Sequence, residues 1–155
     1  FDYVDSDQYI EESTGVSIPY IFELEGEAGF REREAKAIEA LSKLSNVVLA
    51  TGGGAVLQAE NRALLSDNGI VIYLNVLPES QYERIQFDTQ IPLIQTRDPK
   101  YTLDKLYALR DPLYREIAEY IVFSDNIAPK IVVNGIIESI IQRKSSHPEW
   151  LVGNR

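Results

Sequence analysis

The chain contains no cysteine and no methionine, and its 155 residues include one histidine and one tryptophan. Without cysteine there is no disulfide framework, no thiolate nucleophile and no zinc–cysteine site. The one histidine, His147, stands in a polar Ser-Ser-His-Pro stretch, which excludes a multi-histidine metal centre. No apolar run approaches the ~20 residues of a membrane-spanning helix, and no charged-then-apolar leader opens the chain, so the expected compartment is the cytoplasm. Because position 1 is Phe rather than Met, Phe1 is not expected to be where translation began. Basic residues are also in deficit: 15 against 24 acidic ones, for a net charge of −9. That balance argues against non-specific nucleic-acid binding and against anionic membrane surfaces. What remains, 45% apolar and 25% charged residues, is the composition of one globular domain with a real core.

Apolar runs and helical patterns alternate along the sequence. Phe1 to Val4 is a short apolar strand, and Gln8 to Thr14 a helix stopped by Gly15. Pro19 to Leu24 and Glu27 to Leu44 read as two further helices, followed by a buried-type strand over Asn46 to Thr51. Asn61 to Ser66 is helical, Ile70 to Val76 a second apolar strand, and Pro78 opens the next helix. Phe87 to Lys100 reads as a loop. Leu103 to Tyr120 is helical with an interruption at Arg110-Asp111-Pro112, where Asp111 caps a restart. Ile121 to Phe123 is a strand and Pro129 to Gln142 the last helix. Strands alternating with helices predict an α/β domain with a parallel sheet, whose ligands bind beyond the carboxyl ends of the strands.

Three groups of residues stand out there. Asp5-Ser6-Asp7 follows the first strand. Its carboxylates suit a hydrated Mg²⁺, or hydrogen bonds from substrate hydroxyls, or the cap of the following helix. Thr51-Gly52-Gly53-Gly54 follows a buried strand and leaves the backbone open to close approach by a ligand, or forms a tight structural turn. It is not a Walker loop, because no Gly-Lys pair occurs anywhere in the chain. Third, Arg31 and Glu34 head the stripe completed by Ile38 and Leu41, and Arg110 interrupts the stripe Leu103, Leu106, Leu113, Ile117. A guanidinium on an apolar face needs a partner: an internal salt bridge such as Arg31–Glu34, or a bound carboxylate or phosphate. Together the groups suggest a small polyol acid as ligand.

From Phe1 to about Arg143 the chain resembles shikimate kinase. The resemblance is carried by Asp5-Ser6-Asp7, Gly29-Phe30-Arg31-Glu32-Arg33-Glu34, Leu49-Ala50-Thr51-Gly52-Gly53-Gly54 and Arg110-Asp111-Pro112-Leu113-Tyr114. It implies an enzyme with the P-loop, nucleoside-monophosphate-kinase-like fold that phosphorylates the 3-hydroxyl of shikimate with ATP and Mg²⁺, on the way to aromatic amino acids. Position by position, it implies that Asp7 holds the hydroxyls and orients the attacking oxygen. Arg31 and Arg110 would take the substrate carboxylate, Glu34 hold that arrangement, and Gly52, Gly53 and Gly54 form the wall. Arg84 would pack on adenine, the loop from Asp125 to Pro129 would hold the adenine edge, and Asp5 would reach Mg²⁺ through water. Residues 1–143 would be the domain, with a lid at about 87–100 and a polar tail at 144–155. The expected protein is a monomer or weak homo-oligomer with shikimate as its small-molecule partner.

Two departures accompany this resemblance. The first strand, Walker A loop and following helix of the family are missing or rearranged, and a central strand's absence should interrupt the sheet. Ile91 stands where the family's lid has arginine, with Arg97 six residues on. The chain as written is therefore expected to be a poor kinase. The alternatives are a catalytically inactive module that senses shikimate and a fragment completed by a partner. Trp150-Leu151-Val152-Gly153 resembles the family's opening strand, and either supplies that strand or matches it by chance.

Overall fold

The structure, a computed structural model, describes residues 1–86, 97–125 and 127–146, with side chains described as far as residue 142. The first strand, β1 (Asp2–Asp5), leads into α1 (Ser6–Thr14) and then α2 (Ile18–Leu41). β2 (Val47–Ala50), a 3₁₀ turn (Ala55–Leu57), α3 (Ala59–Asn68) and β3 (Ile72–Asn75) follow. The chain continues through α4 (Pro78–Ile85), α5 (Pro99–Ile117), β4 (Tyr120–Phe123) and α6 (Pro129–Ser146). Most of the lid expectation, and the strand expected at 150–153, lie outside the described residues.

The strands form two separate parallel ladders, β1–β2 and β3–β4, each of two strands. In the first, Asp2 pairs with Val47 and Asp5 with Ala50; in the second, Ile72 pairs with Tyr120 and Asn75 with Phe123. Residues divide into two compact units. One comprises residues 1–71 and 109–119, the other residues 72–108 and 120–155.

In the first unit α1 packs on α2, and Ile10, Ile21, Phe30 and Ala37 form a buried cluster with Ile18 against it. α1 ends at Gly15, whose φ of 72° is the left-handed geometry that stops a helix. The two helices expected around Gly26 run as one element broken there, with Gly26 at φ 68° and ψ −171°. That backbone region is open to glycine almost alone. Across the break Arg33 donates to both carboxylate oxygens of Glu25, at 2.6 and 2.9 Å.

The interruption expected at Arg110-Asp111-Pro112 does not occur: α5 runs through Pro112 without a restart. The carbonyl deprived of its donor belongs to Ala108, an exposed residue whose carbonyl water can serve. Asp111, expected to cap, instead accepts from Arg115 at 2.8 Å one turn on. The helix also starts earlier than the sequence suggests, at Pro99, and Tyr120 belongs to β4.

Candidate active site

Parallel pairing brings the carboxyl ends of β1 and β2 side by side, and both lead straight into the residues singled out in the sequence. Asp5 ends β1 and caps α1: its Oδ1 accepts from the backbone N–H of Asp7 at 2.8 Å and of Gln8 at 3.2 Å. Its Oδ2 accepts from the Tyr3 hydroxyl at 3.2 Å. With both donors of the cap served by Asp5, Asp7 is released from capping and faces the glycine loop. Ser6, fully buried, accepts from the N–H of Gly52 at 3.2 Å and so stitches the two strand ends together.

The three glycines lie against four charged side chains. A Cβ on Gly52 would stand 3.0 Å from Asp7 Oδ1 and 3.2 Å from Glu34 Oε1. On Gly53 it would stand 3.3 Å from Arg110 Nη1 and 3.4 Å from the Tyr114 hydroxyl, and on Gly54 it would collide with the Arg31 guanidinium. The glycines thus answer to the close approach of the protein's own side chains rather than to a left-handed backbone. Arg31, half stacked on Phe30 with its Cζ 5.3 Å from the ring centroid, donates to Glu34 Oε2 at 2.7 Å and Glu27 Oε1 at 3.2 Å.

The internal Arg31–Glu34 bridge is therefore real, yet it does not exhaust the cluster. Asp7 Oδ1, Glu34 Oε1, Arg31 Nε and Arg110 Nε are all buried without a hydrogen-bond partner. Arg110 makes no ion pair among the described residues. Buried polar atoms are nearly always satisfied, so four orphans around one loop offer donors and acceptors that a bound molecule or water would complete.

Burial raises the carboxyl groups of Asp7 and Glu34. The neighbouring Asp5 charge adds to the effect on Asp7, and Arg31 offsets part of it on Glu34. Desolvation likewise raises the Tyr114 phenol, against the pull of Arg110. A ligand that donates hydroxyls to the acids would stabilise their ionised forms.

Sequence reasoning brought Asp7, Arg31, Glu34, Gly52, Gly53, Gly54 and Arg110 to this pocket, and the structure gathers all of them in one compact unit. It missed Tyr114, which donates to the Gly53 carbonyl. The signal was present in the spacing, since Tyr114 lies one helical turn beyond Arg110. Of the remaining expected residues, Arg84 and Pro129 belong to the second unit and Asp5 to the first. Arg84 donates to the Ser124 carbonyl at 2.6 Å, and Asp125 Oδ1 accepts from the N–H of Leu77 at 3.0 Å. Arg84 thus lies beside the loop that leads to Pro129 at the start of α6. Asp5, expected at Mg²⁺, has Oδ1 filled by the two backbone donors and keeps a spare lone pair on Oδ2, which suits contact through water. No cluster of three or more metal-ligating side chains occurs among the described residues.

Two acids and two guanidiniums around a side-chain-free loop, at the carboxyl ends of parallel strands, have the chemistry that suits a small hydroxylated anion. The shikimate kinase family model matches residues 1–141. The chain is 49% identical over 146 residues to the shikimate kinase of a Psychrobacter species, covering 94% of this chain and 81% of that one. It is 49% identical over 148 residues to that of Nitrosococcus oceani, covering 96% and 78%. Among solved structures, shikimate kinase from Acinetobacter baumannii in complex with shikimate superposes with a TM-score of 0.87. That match has 43% identity and covers 92% of this chain and 80% of that one. The chain belongs to the shikimate kinase family.

Proposed function

We propose that this protein transfers a phosphoryl group from ATP to the 3-hydroxyl of shikimate, and that the cluster around Gly52 to Gly54 is where shikimate binds. The observation that carries the reading is the convergence of four unpartnered buried polar atoms, two acidic and two guanidinium, on one loop. Arg110 and Arg31 offer N–H groups to the substrate carboxylate, for which a planar fork is the fitting donor. Asp7 accepts the hydrogen of the reacting hydroxyl, points its oxygen outward and takes the proton as that oxygen gains the phosphoryl group. Glu34 holds Arg31 in place through its Oε2. The glycine backbone allows the ring to lie against it.

When bound, MgATP supplies the phosphoryl group and the cation that neutralises charge on the phosphates. Asp5 suits a water-mediated contact with that cation, while Arg84 and the loop ending at Pro129 suit the adenine. We read residues 1–143 as the working domain, acting as a cytoplasmic monomer or weak oligomer. No helix among the described residues is long and apolar enough to cross a membrane.

The test is calorimetric titration with shikimate and separately with MgATP, followed by an assay of ADP release. Shikimate should bind, and ADP should appear only when both substrates are present. Absence of shikimate binding would overturn the pocket assignment. Shikimate binding with no response to ATP would leave a shikimate receptor in place of a kinase.

A further inference from the structure

Arg62 is absent from every group considered above, yet it is bonded at the point where two walls of the pocket meet. The glycine loop closes on itself through Ala55 N–H to Gly52 O at 3.0 Å and Leu57 N–H to Gly54 O at 3.0 Å. The outward carbonyls of the 3₁₀ turn are held from the first turn of α3. Asn61 Nδ2 donates to Ala55 O at 3.0 Å, and Arg62 Nη1 donates to Val56 O at 2.8 Å and Leu57 O at 3.5 Å. The same guanidinium then turns to α5, where its Nε donates to Glu116 Oε1 at 3.1 Å. The Arg62 side chain is 16% exposed, against 55% for Glu116.

Arg110, on that same helix, has no anchor of its own among the described residues. Its place beside Gly53 depends on how the end of α5 is held. Just past the helix, the backbone N–H of Glu119 donates to Val71 O at 2.9 Å. Among the described residues, two side-chain bonds also contribute: Tyr114 to the Gly53 carbonyl, and Glu116 to Arg62 and through it to the turn after the loop. A guanidinium is suited to the second task because its rigid fork can serve two directions at once.

We infer that Arg62 is a positioning residue for substrate binding, fixing the end of α5 against the glycine loop so that Arg110 meets the substrate carboxylate. The inference rests on the assignment of Arg110 to that carboxylate. Arg62 itself touches no substrate. A misplacement of Arg110 by a fraction of an ångström is enough to weaken a bidentate contact.

The test is a shikimate titration of Arg62→Ala, Arg62→Lys, Glu116→Gln and Arg110→Lys, with the double variants of each of the first three on the Arg110→Lys background. Thermal melts accompany each. Arg62→Ala should weaken shikimate binding roughly 10-fold, with Arg62→Lys and Glu116→Gln losing less, while all remain folded at the assay temperature. In the Arg110→Lys background the further loss should shrink towards none, because Arg62 acts through Arg110. A residue that merely supports the fold would give the same factor in both backgrounds, and that result would overturn the inference. So would unchanged affinity in Arg62→Lys and Glu116→Gln alike. Should Arg62→Ala not fold, Glu116→Gln, altered at an exposed side chain, decides the matter. Unchanged affinity in Arg110→Lys and also in Arg110→Ala would instead bring down the pocket assignment, and this inference with it.

Discussion

At the scale of single residues, the cluster at the glycine loop carries unpaired buried polar atoms. Asp7 and Glu34 are raised by burial, so the folded protein holds their protons more tightly than the unfolded chain does. The stability of the unliganded protein should therefore fall as pH rises from the ordinary carboxylate value through the raised one, and stay lowered above it. Asp7→Asn removes that burden. It should raise the melting temperature near neutral pH by about 2 °C while abolishing turnover, a trade of stability against function. A variant that melts lower than wild type at neutral pH would contradict this.

Arg110→Ala should cost about 2 kcal/mol of shikimate affinity, as expected when a charge-assisted pair loses one member, and calorimetry measures it directly. Gly54→Ala should weaken binding by displacing the Arg31 guanidinium while leaving the fold intact, since the group in its way is the end of a side chain. A melting curve with a shikimate titration separates the two effects. Much of this scale was legible in the sequence. Arginines and acids on apolar faces, and three glycines after an apolar strand, are conspicuous because each breaks a pattern. Arg62 was not legible, because an arginine in the first turn of a polar helix breaks none, and its carbonyl partners are visible only in three dimensions.

At the scale of elements, α2 shows why the helix that carries Arg31 and Glu34 needs a break before it. Gly26 provides the break with a backbone that other residues enter only at a cost, while a Cβ there would meet open space. Gly26→Ala should therefore lose about 1–2 kcal/mol of stability from conformation alone, read from urea unfolding. The Glu25–Arg33 pair beside it is solvent-exposed and screened by water, so Arg33→Ala should cost well under that. Equal losses in the two variants would place the stabilisation in the ion pair and not in the glycine. The break was readable because Gly26 separates two apolar runs. The continuity of α5 through Pro112 was not, since local propensity argues for a stop and tertiary context overrides it.

At the scale of the whole molecule, the alternation of strands and helices could be read from apolar runs, and strand pairing could not, because register comes from contacts between distant segments. The two ladders leave large apolar side chains in solvent: Tyr3 and Val48 on one, Leu74 and Phe123 on the other, and Ile131, Val133, Ile137 and Ile141 along α6. Parallel strands ordinarily have both faces covered. A net charge of −9 opposes association of such molecules, and salt screens that repulsion. Light scattering should thus show self-association that grows with protein concentration and with added salt. A species that stays monomeric across both would show that these side chains are covered in solution.

The glycine wall also sets the direction in which this pocket can change. Any substitution at Gly52, Gly53 or Gly54 adds atoms, and none can take atoms away. Sequences one step from this one therefore contain narrower pockets along that wall and no wider ones. A descendant that accepted a bulkier acid would have to make its room in the side chains packed against that wall, by shortening Arg31, Glu34 or Tyr114. With them would go the group proposed to hold the substrate carboxylate and the bonds that hold that group and the loop in place. Along this wall, widening the choice of substrate and holding it firmly are opposed.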